Sequence, residues 1–144
     1  MTEDLLDTIP ERPVYTIRTI VISSLFGGIL SATYMIHQNY KALGENKKAG
    51  ITILLGIVFM ALTIATAFIP VLENMPGILF TLITTIIISF LAEKYQGKLI
   101  SKHIEAEGRI HTTGRAVLVC VIAILIIAAL IVGAYFLGDA DVSV

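Results

Sequence analysis

Apolar residues gather in four long blocks separated by short polar stretches. They run from Thr19 to Ile36, from Ile51 to Ile69, from Ile78 to Ala92 and from Ala116 to Leu137. A helix needs about 20 mostly apolar residues, in a range of about 17–25, to cross the hydrocarbon layer of a bilayer. The third block is the shortest, and Met75, Pro76 and Gly77 extend it at one end. The pattern predicts an all-α membrane protein with one domain over residues 1–144. Its four transmembrane helices are expected at about 19–36, 51–69, 76–92 and 116–137.

The ends of these elements follow from backbone chemistry. Pro13 precedes the first block and Pro70 closes the second, places where a missing N–H costs little. Pro76 is expected in the first turn of the third helix, with Asn74 as its N-cap. The first helix should continue from His37 to Leu43, with Gly44 as its left-handed C′ residue and Asn46 as the next N-cap. The first two helices then form an antiparallel hairpin. The N-terminal stretch, with Glu3, Asp4, Asp7 and Glu11, lacks the basic start of a signal peptide and is expected to remain.

Composition sharpens the membrane assignment. Of 144 residues, 56% are hydrophobic and 15% charged, where soluble domains average about 45–50% and about 25%. A net charge of −1 argues against a nucleic-acid partner. One cysteine, Cys120, can form neither an internal disulfide nor a thiolate cluster.

Lysine and arginine in short loops set orientation. With four crossings, Lys41, Lys47 and Lys48 share a side with Lys94, Lys98, Lys102, Arg109 and Arg115, while Arg12 and Arg18 lie opposite. That bias predicts both termini outside the cytoplasm. Residues 93–107 are expected to form a cytoplasmic amphipathic extension of helix three. Tyr95, Leu99, His103 and Ala106 fall on one face, with Ile100 and Ile104 beside them. Such a face lies at the membrane interface or packs on the hairpin next to it.

Candidate chemistry is sparse. No ionisable residue falls at mid-depth of a block, the usual mark of a proton or ion pathway. His37, His103 and His111 lack the close spacing of a zinc site, and no nucleotide-binding, metalloprotease or serine-hydrolase motif occurs. Neither an enzyme nor a cofactor is expected. Small residues at four-residue spacing stand out instead. Ser23, Gly27 and Ser31 form one row on the first helix, and Ser24, Gly28 and Ala32 form the next. Such rows let helices approach closely in lipid, so a side chain larger than alanine at Gly27 or Gly28 should push a partner helix away. Thr81, Thr85 and Ser89 make a polar row on the third helix, either satisfied by local carbonyls or lining a path. Helices one to three are expected to form the tight core, with helix four facing lipid.

Leu25-Phe26-Gly27-Gly28, Asn39-Tyr40 and Leu43-Gly44, followed by Gln96, Ile100, His103 and Gly108, resemble a pattern in small bacterial four-helix membrane proteins. A proline often follows the paired glycines in that group. Ile29 stands there in this chain, which leaves no proline to kink the first helix. The resemblance implies a multi-pass protein of the bacterial cytoplasmic membrane and brings no activity with it. The expected role is association, as a homo-oligomer or with a membrane-protein partner in the lipid bilayer. The alternative is a small oligomeric channel or transporter using the Thr/Ser row.

Overall fold

The computed structural model describes residues 12–66, 69 and 75–140. They form four helices: α1 (Ile17–Ala42), α2 (Asn46–Thr66), α3 (Gly77–Glu105) and α4 (Thr113–Ala140). All four are long and apolar enough to cross a membrane.

Local chemistry sets their ends. Thr16 caps α1, its Oγ1 accepting from the Thr19 N–H at 3.2 Å. At the other end Gly44 adopts φ +78°. Its N–H donates to the Lys41 carbonyl at 3.3 Å, and the Glu45 N–H donates to the Tyr40 carbonyl at 2.8 Å. This is the Schellman pattern expected at Gly44. The Glu45 carbonyl accepts the first bond of α2, from Ala49 at 3.0 Å. Glu45 therefore holds the N-cap position, and Asn46 is the first helical residue instead. Pro76 sits at the N-cap of α3, one place before its expected turn. Asn74 and Pro70 lie outside the described residues.

The main departure lies inside α1. Gly28 has φ +62° and ψ −155°, and helical geometry stops there and resumes. Two arms result, α1a (17–27) and α1b (29–42). In a straight helix, positions 24 apart are separated by about 36 Å, yet Tyr15 and Asn39 are hydrogen-bonded at 2.7 and 2.8 Å. Ser31, eight residues beyond Ser23, donates its hydroxyl to the Ser23 carbonyl at 2.7 Å. α1 therefore turns back on itself as an antiparallel helical hairpin. The absence of a proline misleads here, because a glycine with positive φ reverses the chain unaided.

Reversal places the N-terminal side of α1 beside both polar connections. Val14 donates to the Arg109 carbonyl at 3.0 Å and accepts from the His111 N–H at 2.9 Å. Residues 12–16, the 43–45 turn and the 106–112 connection thus share one end of the bundle. Four single crossings would have put residues 12–16 at the opposite end. At about 1.5 Å per residue, α1a reaches only about 16 Å, whereas α2 with 21 residues extends about 31 Å.

The hairpin is the centre, and α2, α3 and α4 each pack on α1 rather than chiefly on one another. Ile20 of α1a, Ala32 and Met35 of α1b, Ile88 and Ala92 of α3 and Ala116 of α4 form the core with Tyr15. In its most apolar stretch α1 is 39% buried, α4 11% and α2 6%. α2 therefore stands further out than α4, which corrects its expected place in the tight core.

Candidate functional site

Two polar regions are built around the hairpin, one at its apex and one across its open end. At the apex Ser23, Ser24, Gly27, Ser31 and Ala32 are all buried. They do not form two continuous rows, because the chain reverses between Gly27 and Ile29. Instead Ser23 and Ser31 face each other across the arms. A Cβ at Gly27 would lie 2.7 Å from the Ser31 side chain and 3.2 Å from the Cys120 Cα of α4. Gly27 is thus the point where the hairpin arms and the α4 backbone meet closely. Gly28 differs: nothing lies within 4 Å of its would-be Cβ, and its φ makes it glycine rather than a neighbour.

Breaking a helix in an apolar layer leaves backbone groups without partners, which is costly there. The Ser31 Oγ lies 2.7 Å from the Ser23 carbonyl and 3.0 Å from that of Gly28. The Cys120 thiol approaches the Ser23 carbonyl at 3.9 Å, and the Ser24 hydroxyl donates to Val21 at 2.7 Å. The small residues thus serve two physical ends, close approach and repair of the reversal.

On α3, the Thr81 hydroxyl donates to Gly77 at 3.1 Å and that of Ser89 to Thr85 at 2.8 Å. Thr85 Oγ1 is buried with no hydrogen-bond partner. Two of the three hydroxyls are therefore used by their own helix.

The open end holds a polar clamp that sequence pattern did not single out as a site. Asn39, with no exposed surface, accepts from the Tyr15 N–H through Oδ1 and donates through Nδ2 to the Tyr15 carbonyl. The same Nδ2 lies 3.3 Å from Gln96 Oε1. Gln96, equally buried, donates onward to the Ile36 carbonyl at 2.8 Å. Two side-chain amides thereby tie together the incoming segment, α1b and α3. An Asn and a Gln at the polar ends of apolar blocks were the available signal. Their partners depended on a hairpin that periodicity does not reveal.

Beyond Gln96, α3 continues as one helix, but its buried face is Gln96, Ile100 and His103. Tyr95 is 60% exposed and Ala106 is exposed. The expected stripe of Tyr95, Leu99, His103 and Ala106 thus meets the buried face at His103, lies one residue short of it at Tyr95 and Leu99, and has no buried counterpart at Ala106. Gln96 meets α1b, and His103 meets the connection that follows α3. The helix ends with Glu107 at φ +57°. The Gly108 N–H donates to the His103 carbonyl at 2.8 Å and the Glu107 N–H to Ile104 at 3.0 Å. The left-handed place expected for a glycine is filled by a glutamate.

The histidines are structural neighbours rather than ligands of one centre. His103 Nε2 lies 3.0 Å from the Arg109 carbonyl, and His37 Nδ1 lies 2.9 Å from that of Ala49 on α2. His111 stacks against Tyr15, their ring centroids 4.1 Å apart. Burial lowers the pKa of His111, and the nearby Arg115 cation lowers it further. Burial raises that of the Tyr15 phenol, and Arg115 works against the rise. Among the described residues no three of His, Cys, Asp and Glu come together as metal ligands. No known family matches this chain, and no curated protein or solved structure is detectably similar to it.

Proposed function

We propose that this chain is an integral membrane protein, without enzymatic activity, that works by helix association as a scaffold, a complex subunit or a homo-oligomer. α2 carries the proposal. It is the least buried of the four helices, and its close approach is on one side, where a Cβ at Gly56 would overlap the Thr33 side chain of α1b. Leu54, 62% exposed, marks its outer face. Packing is the main attraction between helices in lipid, so a helix held along a single face offers the other to a partner. With Cys120 replaced by serine, a Leu54→Cys chain oxidised in native membranes should give a disulfide-linked dimer or a defined heteromeric band. A monomeric mass in mild detergent, with no cross-link and no co-migrating protein, would overturn it. The buried, unpartnered Thr85 hydroxyl favours a second reading, a small oligomeric channel. Selective liposome flux abolished by Thr85→Leu would put that reading first.

The same proposal includes a membrane orientation. All ten Lys and Arg belong to residues 12–18, the 41–48 turn region, the last three turns of α3, or residues 109–115, and these meet at the open end of the hairpin. By the positive-inside rule that end is cytoplasmic. α1 enters and leaves by the same face, α2, α3 and α4 cross, and α4 ends outside the cytoplasm. Four crossings would instead divide the cations eight to two. The bacterial cytoplasmic membrane is the setting that the resemblance noted above favours. In a Cys120→Ser background, Arg12→Cys, Asn46→Cys and Ala106→Cys should all be shielded from an impermeant reagent in intact cells, and Met75→Cys should react. Labelling of Arg12→Cys together with Met75→Cys would restore four crossings.

A further inference from the structure

Because α2 and α3 each pack on α1b rather than on one another, they part to leave a cleft of about 610 Å³. Its chemistry is graded along its length. Leu62, Phe59 and Leu55 line the deep part, while Lys48, Tyr95 and Gln96 lie at the open end of the hairpin. From Lys48 to Leu62 the α2 backbone rises about 21 Å, most of the way through one bilayer core. An occupant must therefore be apolar over most of its length and polar at one end. It must also accept positive charge at that end. Lys48 is half exposed, and its 3.1 Å pair with Glu45 is equally open to water, so the carboxylate holds it only weakly. On α3 the Lys94 ammonium lies 5.7 Å from the centre of the Phe90 ring and 5.8 Å from that of Tyr95, a residue of the mouth. Lys48 is the cation that lines the mouth itself.

We propose that this cleft binds one anionic phospholipid, its acyl chain lying between α2 and α3 and its phosphate at Lys48. A free phosphate would leave the apolar length empty, and a zwitterionic lipid would forgo the charge at the mouth. A basic cluster at the cytoplasmic face attracts anionic headgroups in any case; the cleft turns that diffuse attraction into a single saturable place. The proposal rests on the membrane reading above, so membrane insertion is scored separately, by resistance to alkaline carbonate extraction.

The full chain, purified in mild detergent, is titrated with phosphatidylglycerol or with phosphatidylcholine of the same acyl chains, and bound lipid is counted by native mass spectrometry. One phosphatidylglycerol should bind with an apparent Kd at least about tenfold below that of phosphatidylcholine. Lys48→Ala should bring the two lipids within about twofold of each other. Val58→Trp, on the cleft wall, should weaken both, and Leu55→Trp serves the same purpose if that chain misfolds. Val132→Trp on α4 should bind as the parent does. Equal affinity of the parent chain for both lipids, or unchanged binding by the wall variants, would overturn the proposal. So would a lipid-independent dimer broken by Val58→Trp, since the cleft would then hold a second copy. Insertion that survives any of these results leaves the membrane reading standing.

Discussion

Gly28 and Gly27 look alike in the sequence and differ in what they do. At Gly28 the backbone lies in a region essentially closed to other residues, at a cost of order 1–3 kcal/mol, although space is free around it. Gly28→Ala should therefore destabilise the protein nearly as much as Gly28→Leu, because the cost is conformational and is met by the first added carbon. At Gly27 the cost is steric and should grow steeply from alanine to leucine, since Cys120 backbone stands in the way. Thermal unfolding in detergent of the four variants checks both slopes. Equal losses for alanine and leucine at Gly27 would count against a close helix contact there. Glu107 is the reverse case, a side chain held at φ +57° where glycine is preferred. Glu107→Gly should stabilise the protein by about 1 kcal/mol, given the penalty of a left-handed residue, and the same melting experiment measures it.

At the scale of elements, the described helices lie close to where apolar length and capping chemistry put them. Gly44 closes α1 as its sequence context requires, and α3 continues well beyond its apolar block. What periodicity could not reveal was the partner of each face. The stripe on α3 differs from expectation because Gln96 is drawn to a carbonyl on α1b, a contact between residues 60 positions apart. The clamp itself is open to test. Asn39→Leu would strip the Tyr15 N–H and carbonyl of their partners, and each buried unsatisfied group costs about 1–3 kcal/mol. The Tyr15 amide should then exchange with solvent far faster, while amides of α4 keep their protection. Unchanged exchange at Tyr15 would mean that something other than Asn39 holds the segment. His111 adds a pH dependence at the same place. Its folded pKa lies below the ordinary 6.5 because burial, aided by Arg115, disfavours the imidazolium. The unfolded chain then binds the proton more readily, so the stabilisation is complete above about pH 6.5 and is lost as pH falls from there toward the lower folded value. Unfolding midpoints at pH 7.5 and 5.5 should differ in that sense, and His111→Phe should narrow the difference.

For the molecule as a whole, the sequence announces four helices long and apolar enough to cross a membrane and conceals how the chain is threaded. Block length tells how far an element could reach, and for α2, α3 and α4 reach and path coincide. For α1 they part, because one glycine torsion decides the path and leaves length and hydropathy untouched. Arg12 and Arg18 bear on the threading proposed above. Counted as opposite to the other cations they are exceptions to the loop bias, whereas a hairpin brings them to the same end. The small residues of the apex were legible as a place of close packing. That their partners are each other's arm and the α4 backbone followed only from the reversal.

The bridge between Val14 and residues 109–111 also imposes an order in time. During synthesis at about 5–20 residues per second, Val14 emerges roughly 5–20 s before the residues that hold it. Until Gln96 emerges the two arms of α1 lack both that bridge and the Gln96 bond, and Asn39 alone can grip Tyr15. The hairpin is thus among the first segments made and among the last to be secured. Chains stopped before residue 109 should leave the peptide bonds near Val14 open to protease, and chains that extend through α4 should protect them. The long-lived nascent form, with its first arm unsecured, is where a chaperone or insertion factor would have most to hold.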